Sequence, residues 1–227
     1  MSALAGVDGA PGGWAIAKQL NGVPLLSFAP DLSRLGRQVD SGEVEFVAID
    51  MPIGLPGRRQ CDFEARRLLG KRRSSVFPAP HRSVLGSPDY AEARRRSIDA
   101  TGGTSLTIQA FNLIPKIDEV DRLLHSPRRR QRIVEAHPEL AFMRLNNGPL
   151  DDPKSTATGR DARRALLEEQ FGSDLVASAL KGPGVPIIDA LDALALLVTA
   201  NRLADGSAHR LGDSETDSEG QPVQIVY

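Results

Sequence analysis

Residues 45–55 read EFVAIDMPIGL. Phe46, Val47, Ala48 and Ile49 make a short unbroken apolar run, the pattern of a strand buried on both faces. The run ends on a carboxylate, Asp50, and the chain then breaks at Met51-Pro52. Residues 3–9, ALAGVDG, deliver Asp8 in the same way. The fold turns on whether these two strands are neighbours. Paired in parallel, they set Asp8 and Asp50 side by side at one end of a sheet, where two carboxylates repel unless a proton or a cation lies between them.

The intervening sequence favours that pairing. Residues 14–19 (WAIAKQ) and 23–28 (VPLLSF) read as strands joined by Asn21-Gly22, a strong hairpin signal. The chain therefore opens as an antiparallel meander. Residues 31–38 predict a short helix with Asp31 near its cap. A helix leading into a strand at 44–49 makes a crossover, hence a parallel partner among the earlier strands. Beyond it, helices are predicted at 62–69, 90–99, 106–124 (continuing through or kinking at Pro115), 138–145, 160–171, 174–180 and 188–203. A Pro-rich ordered loop covers 74–87, a fifth strand lies at 132–136, a last strand at 223–227, and the acidic stretch 205–220 is expected to be a mobile loop. Three antiparallel strands, helix, strand, helices, strand, helices is the order of a ribonuclease H-like α/β mixed sheet. Residues 1–227 read as a single domain of this kind, with approximately 55–130 as a basic helical insertion.

Composition sets limits on function. Apolar residues make up 41% of the 227, enough for a real core, and aromatics only 4%. The single cysteine, Cys61, has no partner for an internal disulfide, which fits a reducing compartment. No basic segment followed by an apolar run opens the chain, and the most apolar stretch, PIIDALDALALLVTA, is interrupted by two Asp and too short to span a bilayer. The expectation is a cytoplasmic, soluble protein without a membrane partner. The net charge of −1 hides an asymmetry: residues 55–132 hold 17 Lys or Arg against 8 Asp or Glu. Such runs are either solvated helix faces or a phosphate-binding surface.

A third acidic element is IIDALDAL. Asp189 and Asp192, spaced i and i+3, share a helix face. They are open to two readings: an N-cap with its capping-box partner, or two more donors beside Asp8 and Asp50. Glu135, in VEAHPELAF, is a further candidate, with His137 as an accessory, unless Glu139 merely supports a helix N-terminus and His137 packs. Hard oxygen donors without a Cys or His pair suit Mg2+ or Mn2+. Two such ions activate water and stabilise the leaving oxygen in phosphodiester hydrolysis, with no covalent chemistry on the protein.

GVDGAPGGW, AIDMPIGLP, RQCDFEARRLLG, RRSSVFPAP, EAHPELAF, KSTATGR and IIDALDALAL resemble domain-of-unknown-function family 429, over about residues 4–204. The resemblance implies a ribonuclease H-like nuclease. IIDALDALAL is also similar to the last helix of RuvC-type junction resolvases, where two acids at this spacing bind metal. By that likeness Asp8 is the first-strand acid, Asp50 the fourth-strand acid (Glu in the resolvases), and Asp189 with Asp192 the helix pair. A homodimer is compatible with the likeness, although no motif marks a seam.

The reading is thus a nuclease or phosphodiesterase dependent on divalent metal, with Asp8, Asp50, Glu135, Asp189 and Asp192 as its acids. Its substrate is nucleic acid or a smaller phosphodiester. Arg59, Arg66, Arg73, Ser74, Lys116, His137, Lys154 and Arg160 are candidates to grip substrate phosphates, or to lock the insertion onto the core. Two alternatives stand beside it. Asp8-Gly9-Ala10-Pro11-Gly12-Gly13 resembles the phosphate loop of actin-like phosphotransferases; a non-catalytic nucleic-acid-binding protein is the other.

Overall fold

The structure, a computed structural model, describes residues 2–182, 184–212 and 215–227. Strands β1 (Ala3–Ala10), β2 (Gly13–Leu20) and β3 (Val23–Ala29) form the antiparallel meander. Asn21 and Gly22, at φ 53° and 84°, make the tight turn between β2 and β3, the left-handed pair that this turn type demands. Helix α1 (Ser33–Ser41) crosses over to β4 (Val44–Ile49), and β5 (Ile133–Glu135) follows much later in the chain. The sheet order is β3-β2-β1-β4-β5, with β1, β4 and β5 parallel. That is the ribonuclease H-like arrangement expected.

Helices cover both faces. Ala5, Val7, Val47, Ile49 and Ile133 meet Leu35 and Val39 of α1, and Ile117, Val120 and Leu123 of α4 (Ile108–Leu123). On the other face lies α9 (Ile187–Ala204), packed with α7 (Ala157–Phe171) and α8 (Ser173–Leu180). The approach of α9 is set by one glycine. A Cβ at Gly6 would come within 2.1 Å of the Leu197 amide nitrogen and 2.2 Å of the Ala193 carbonyl oxygen. Only a residue without a side chain lets the helix backbone lie directly on β1.

The segment between β4 and β5 holds α2 (Gln60–Leu69), α3 (Tyr90–Thr101), α4 and α5 (Pro127–Arg132). The first part of α4 shares a small cluster with α3, through Ala93, Ala110 and Ile114. Its last part enters the main core, and Cys61 and Leu69 of α2 pack with Leu140 of α6 (Pro138–Leu145). The expected insertion is therefore woven into the body of the fold at both ends. Pro115 stays within α4. Helix α5 was hidden in the sequence by its run of arginines, although Pro127 at its start is a regular helix-opening residue.

The expected mobile loop at 205–220 is corrected in part. Asp213 and Ser214 lie outside the described residues. Around them the chain is fastened: β6 (Arg210–Leu211) pairs with β7 (Ile225–Val226), and Val226 bridges to Ala136. Asp217 accepts from the amide of Leu55 at 2.9 Å and from Arg82 at 2.5 Å. Among the described residues no helix is long and apolar enough to cross a membrane.

Candidate active site

Val7 pairs with Ile49 in parallel, so Asp8 and Asp50 follow together at the same sheet end. Strand alternation decides their direction. Val7 and Ile49 face α1 and α4; the next residue on each strand faces α9. The α9 helix has Pro186 as its N-cap and no capping side chain, so Asp189 and Asp192 are not a capping box. They stand on the first two turns, where Gly6 lets the helix descend onto β1. Asp8, Asp50 and Lys154 line one cavity of about 310 Å3.

The electrostatics register this convergence. Burial, and then the charges of Asp192 and Asp50, push the Asp8 carboxyl well above the ordinary range, with Lys154 pulling against them. Burial raises Asp192 to about 6, opposed by Lys154. Asp189 is raised too, by burial, with Lys154 and Lys116 acting in the other direction. The residue that compensates is Lys154, whose Nζ donates to Asp192 Oδ2 at 2.6 Å. Burial disfavours its charge, but the charge and hydrogen bond of Asp192 outweigh burial and hold the ammonium protonated. Sequence reasoning set Lys154 among phosphate contacts; the structure makes it the counter-ion of the acids. The second cation, Lys116, lines the same cavity, lays its stem over Gly9, bonds the Gly13 carbonyl and lies 4.2 Å from the Trp14 ring.

Glu135 lines the same cavity as Asp8 and Asp50 but is engaged there in an ion pair of its own. It is level with Val7 and Ile49 and shares their face; on the α9 side the corresponding β5 residue is Ala136. Glu135 Oε1 accepts from buried Arg59 at 2.5 Å and its Oε2 from the Ile53 amide at 2.6 Å. Burial lifts its carboxyl to about 7, with Arg59 opposing. Arg59 also meets Asp62 at 3.3 Å and Cys61 Sγ at 3.1 Å. Glu135 and Arg59 thus hold the chain beyond Asp50 in place, and neither is free to contact substrate. Burial pushes the Cys61 thiol up to about 12, so it stays protonated.

The remaining candidates divide. Arg66 donates twice to the Val76 carbonyl, at 3.0 and 3.1 Å. Arg73 and Ser74 sit exposed on the turn Gly70–Ser75, outside the cavity lining. Arg160 bonds the Ser155 carbonyl at 2.7 Å. His137 lines the cavity while capping α6 through Glu139 N and meeting the Ser75 carbonyl at 3.2 Å. Glu139 lines it too, ion-paired at 2.6 Å with buried Arg163.

Among the described residues, no three His, Cys, Asp or Glu side chains are spaced to hold a metal ion as they stand. By chemistry the set fits a hard cation: four carboxylates crowd one region, and burial leaves their repulsion only partly offset by Lys154. The Lys154 ammonium, bonded to Asp192 Oδ2, supplies the cation these acids have in the structure. The Gly-rich turn gives no separate anion cradle, since β1 and β2 remain paired as far as Ala10 and Gly13, leaving only Pro11 and Gly12 between them.

No similar protein was found among curated proteins, and no similar solved structure was found. A family model described as protein of unknown function, DUF429, matches residues 6–217. The match opens at the glycine on which α9 rests, takes in all four aspartates, and closes at the aspartate that fastens the loop beyond β4. The chain belongs to the DUF429 family.

Proposed function

We propose that this protein is a divalent-ion-dependent phosphodiesterase of the nuclease type. The observation that carries the reading is that Asp8 and Asp50 line one cavity with Lys154, that Lys154 pairs with Asp192, and that the charges of Asp192 and Asp189 act on Asp8. Asp8, Asp50 and the α9 pair are the residues that would hold Mg2+ or Mn2+. Four carboxyls face two ammoniums, Lys116 and Lys154, so acid groups are in excess, and that excess suits a divalent ion. When bound, the ion activates water and stabilises the leaving oxygen.

The chain's own groups do the rest. Lys154 keeps Asp192 ionised and offers a positive charge to a phosphate oxygen as the acids engage the ion. Lys116, held by Gly13 and Trp14, fixes a second positive charge on the opposite flank of Asp8. Glu135 and Arg59 keep the Asp50–Leu55 segment rigid, so that Asp50 does not swing away. The closed β1–β2 turn lends no support to the phosphotransferase alternative. A single, buried, protonated cysteine is in keeping with a reducing, cytoplasmic setting.

The test is Mg2+- or Mn2+-dependent cleavage of single-stranded, duplex, hybrid and small phosphodiester substrates, wild type beside Asp8→Asn, with calorimetric titration of Mn2+. Cleavage and Mn2+ binding that are both lost in Asp8→Asn support the reading. Cleavage that survives Asp8→Asn, or a wild type that binds no Mn2+, overturns it.

A further inference from the structure

We infer that the cavity receives a single nucleotide unit, its base stacked on Phe77 and its phosphate at the aspartates; the second half of that statement rests on the function proposed above. Phe77 is 49% exposed and lines the cavity. A large exposed apolar side chain ordinarily sits on the surface without consequence. Here the mounting is unusual. The residues on either side are fastened: Ser75 O faces His137 Nε2 at 3.2 Å, Val76 O takes two bonds from Arg66, and Ala79 N donates to Asp62 at 3.4 Å. Val76 and Ala79 are both 5% exposed, and Pro78 and Pro80 restrict the backbone further. A ring held out to solvent on a segment fixed at three points has little entropy left to lose when a flat partner covers it. Leu113, one helical turn before Lys116 on α4, adds a second apolar group to the same cavity.

Size and charge select the ligand. The volume of about 310 Å3 lies at the lower end of the range of about 300–1,000 Å3 typical of small-molecule sites. It admits one nucleotide and not the body of a duplex. A polymer would need an open basic track for its backbone. The arginines that crowd the sequence are turned instead to carboxylates: Arg82 to Asp121 and Asp217, Arg95 and Arg96 to Glu92, Arg129 to Asp40. Part of the basic excess of residues 55–132 is thus spent on carboxylates, Asp217 and Asp40 among them, that lie outside the segment. A ring platform beside two fixed ammoniums matches a free nucleotide or the unpaired end of a strand.

The test uses 2-aminopurine deoxyriboside 5′-monophosphate, whose fluorescence is quenched on stacking, titrated with the full chain in the presence of Mg2+. A single-stranded oligonucleotide with 2-aminopurine at its terminus and a blunt duplex with 2-aminopurine at its centre are run alongside. Quenching is expected for the mononucleotide, the strand end or both, and whichever responds names the source; none is expected for the duplex. Phe77→Leu, which keeps apolar bulk but removes the ring, should weaken binding by roughly tenfold to a hundredfold, and Phe77→Trp should restore it. Absence of quenching in every arm, or equal affinity in wild type and Phe77→Leu, overturns the inference. Cleavage lost in Asp8→Asn with no effect of Phe77→Leu on binding or KM leaves the proposed function standing and removes this one. Quenching that depends on Phe77 in a protein that cleaves nothing does the reverse.

Discussion

Asp8 and Asp192 carry carboxyls whose protons are held more tightly in the folded chain than in the unfolded one, Asp192 up to about 6. A group with a raised folded pKa makes the folded state bind more protons, so stability falls as pH climbs from about 4 towards 6 and stays lower above it. The metal-free protein should therefore melt higher at pH 5 than at pH 7.5, and Asp8→Asn should raise the pH 7.5 melting temperature by roughly 5 °C while flattening the pH profile. A thermal melt across that range checks both, and a profile that Asp8→Asn leaves unchanged would contradict the argument. Arg59 behaves differently. Its loss strands Glu135 buried without its counter-charge, at a cost of about 3–5 kcal/mol, so Arg59→Ala should unfold at far lower denaturant. Glu135→Gln should weaken the fold yet leave Mn2+ affinity within about twofold of wild type, since both Glu135 oxygens are already taken by Arg59 and the Ile53 amide; a collapse of affinity would place Glu135 in the ligand set. Asp8 and Asp50 were legible because a polar residue ending an apolar run is conspicuous. The direction of Glu135 was not, because it depends on which residue of β5 lies level with Ile49, a long-range register that no local pattern encodes.

Gly6 governs how elements meet. Ala at this position would drive its methyl into the backbone of α9 at Ala193 and Leu197, and backbone cannot yield as a side-chain tip can. Gly6→Ala should cost about 3 kcal/mol or more and, in whatever protein still folds, lift Asp189 and Asp192 from Asp8 and lower Mn2+ affinity. Stability by denaturant titration and affinity by calorimetry separate the two effects; an unperturbed variant would show that α9 can be displaced without harm. The secondary elements themselves were largely readable, since hairpin turn, crossover helix and long apolar helix each have a local signature. The attachment of the 215–227 segment was not, because Asp217, Val223 and Ile225 are held by residues far away in sequence, and a polar stretch carries no sign of what it will be pinned to.

For the molecule as a whole, the proposed divalent ion would be a stabiliser as well as a cofactor, because it would offset the crowding of four acids. Millimolar Mg2+ or Mn2+ should raise the melting temperature of wild type in proportion to ligand occupancy, and should leave Asp8→Asn nearly unmoved. An equal rise in both would mean binding elsewhere. Charge asymmetry was a poorer guide at this scale, because a count of arginines does not reveal which of them the fold pairs with carboxylates. The close seat of α9 on β1 has one more consequence. Asp192 lies 184 positions after Asp8 in the chain. At ribosomal rates of about 5–20 residues per second, roughly ten to forty seconds of translation separate the two. Throughout that interval the growing chain carries strand-end acids but no assembled centre, so on the proposed function it would stay inert beside its own messenger RNA until α9 has been made.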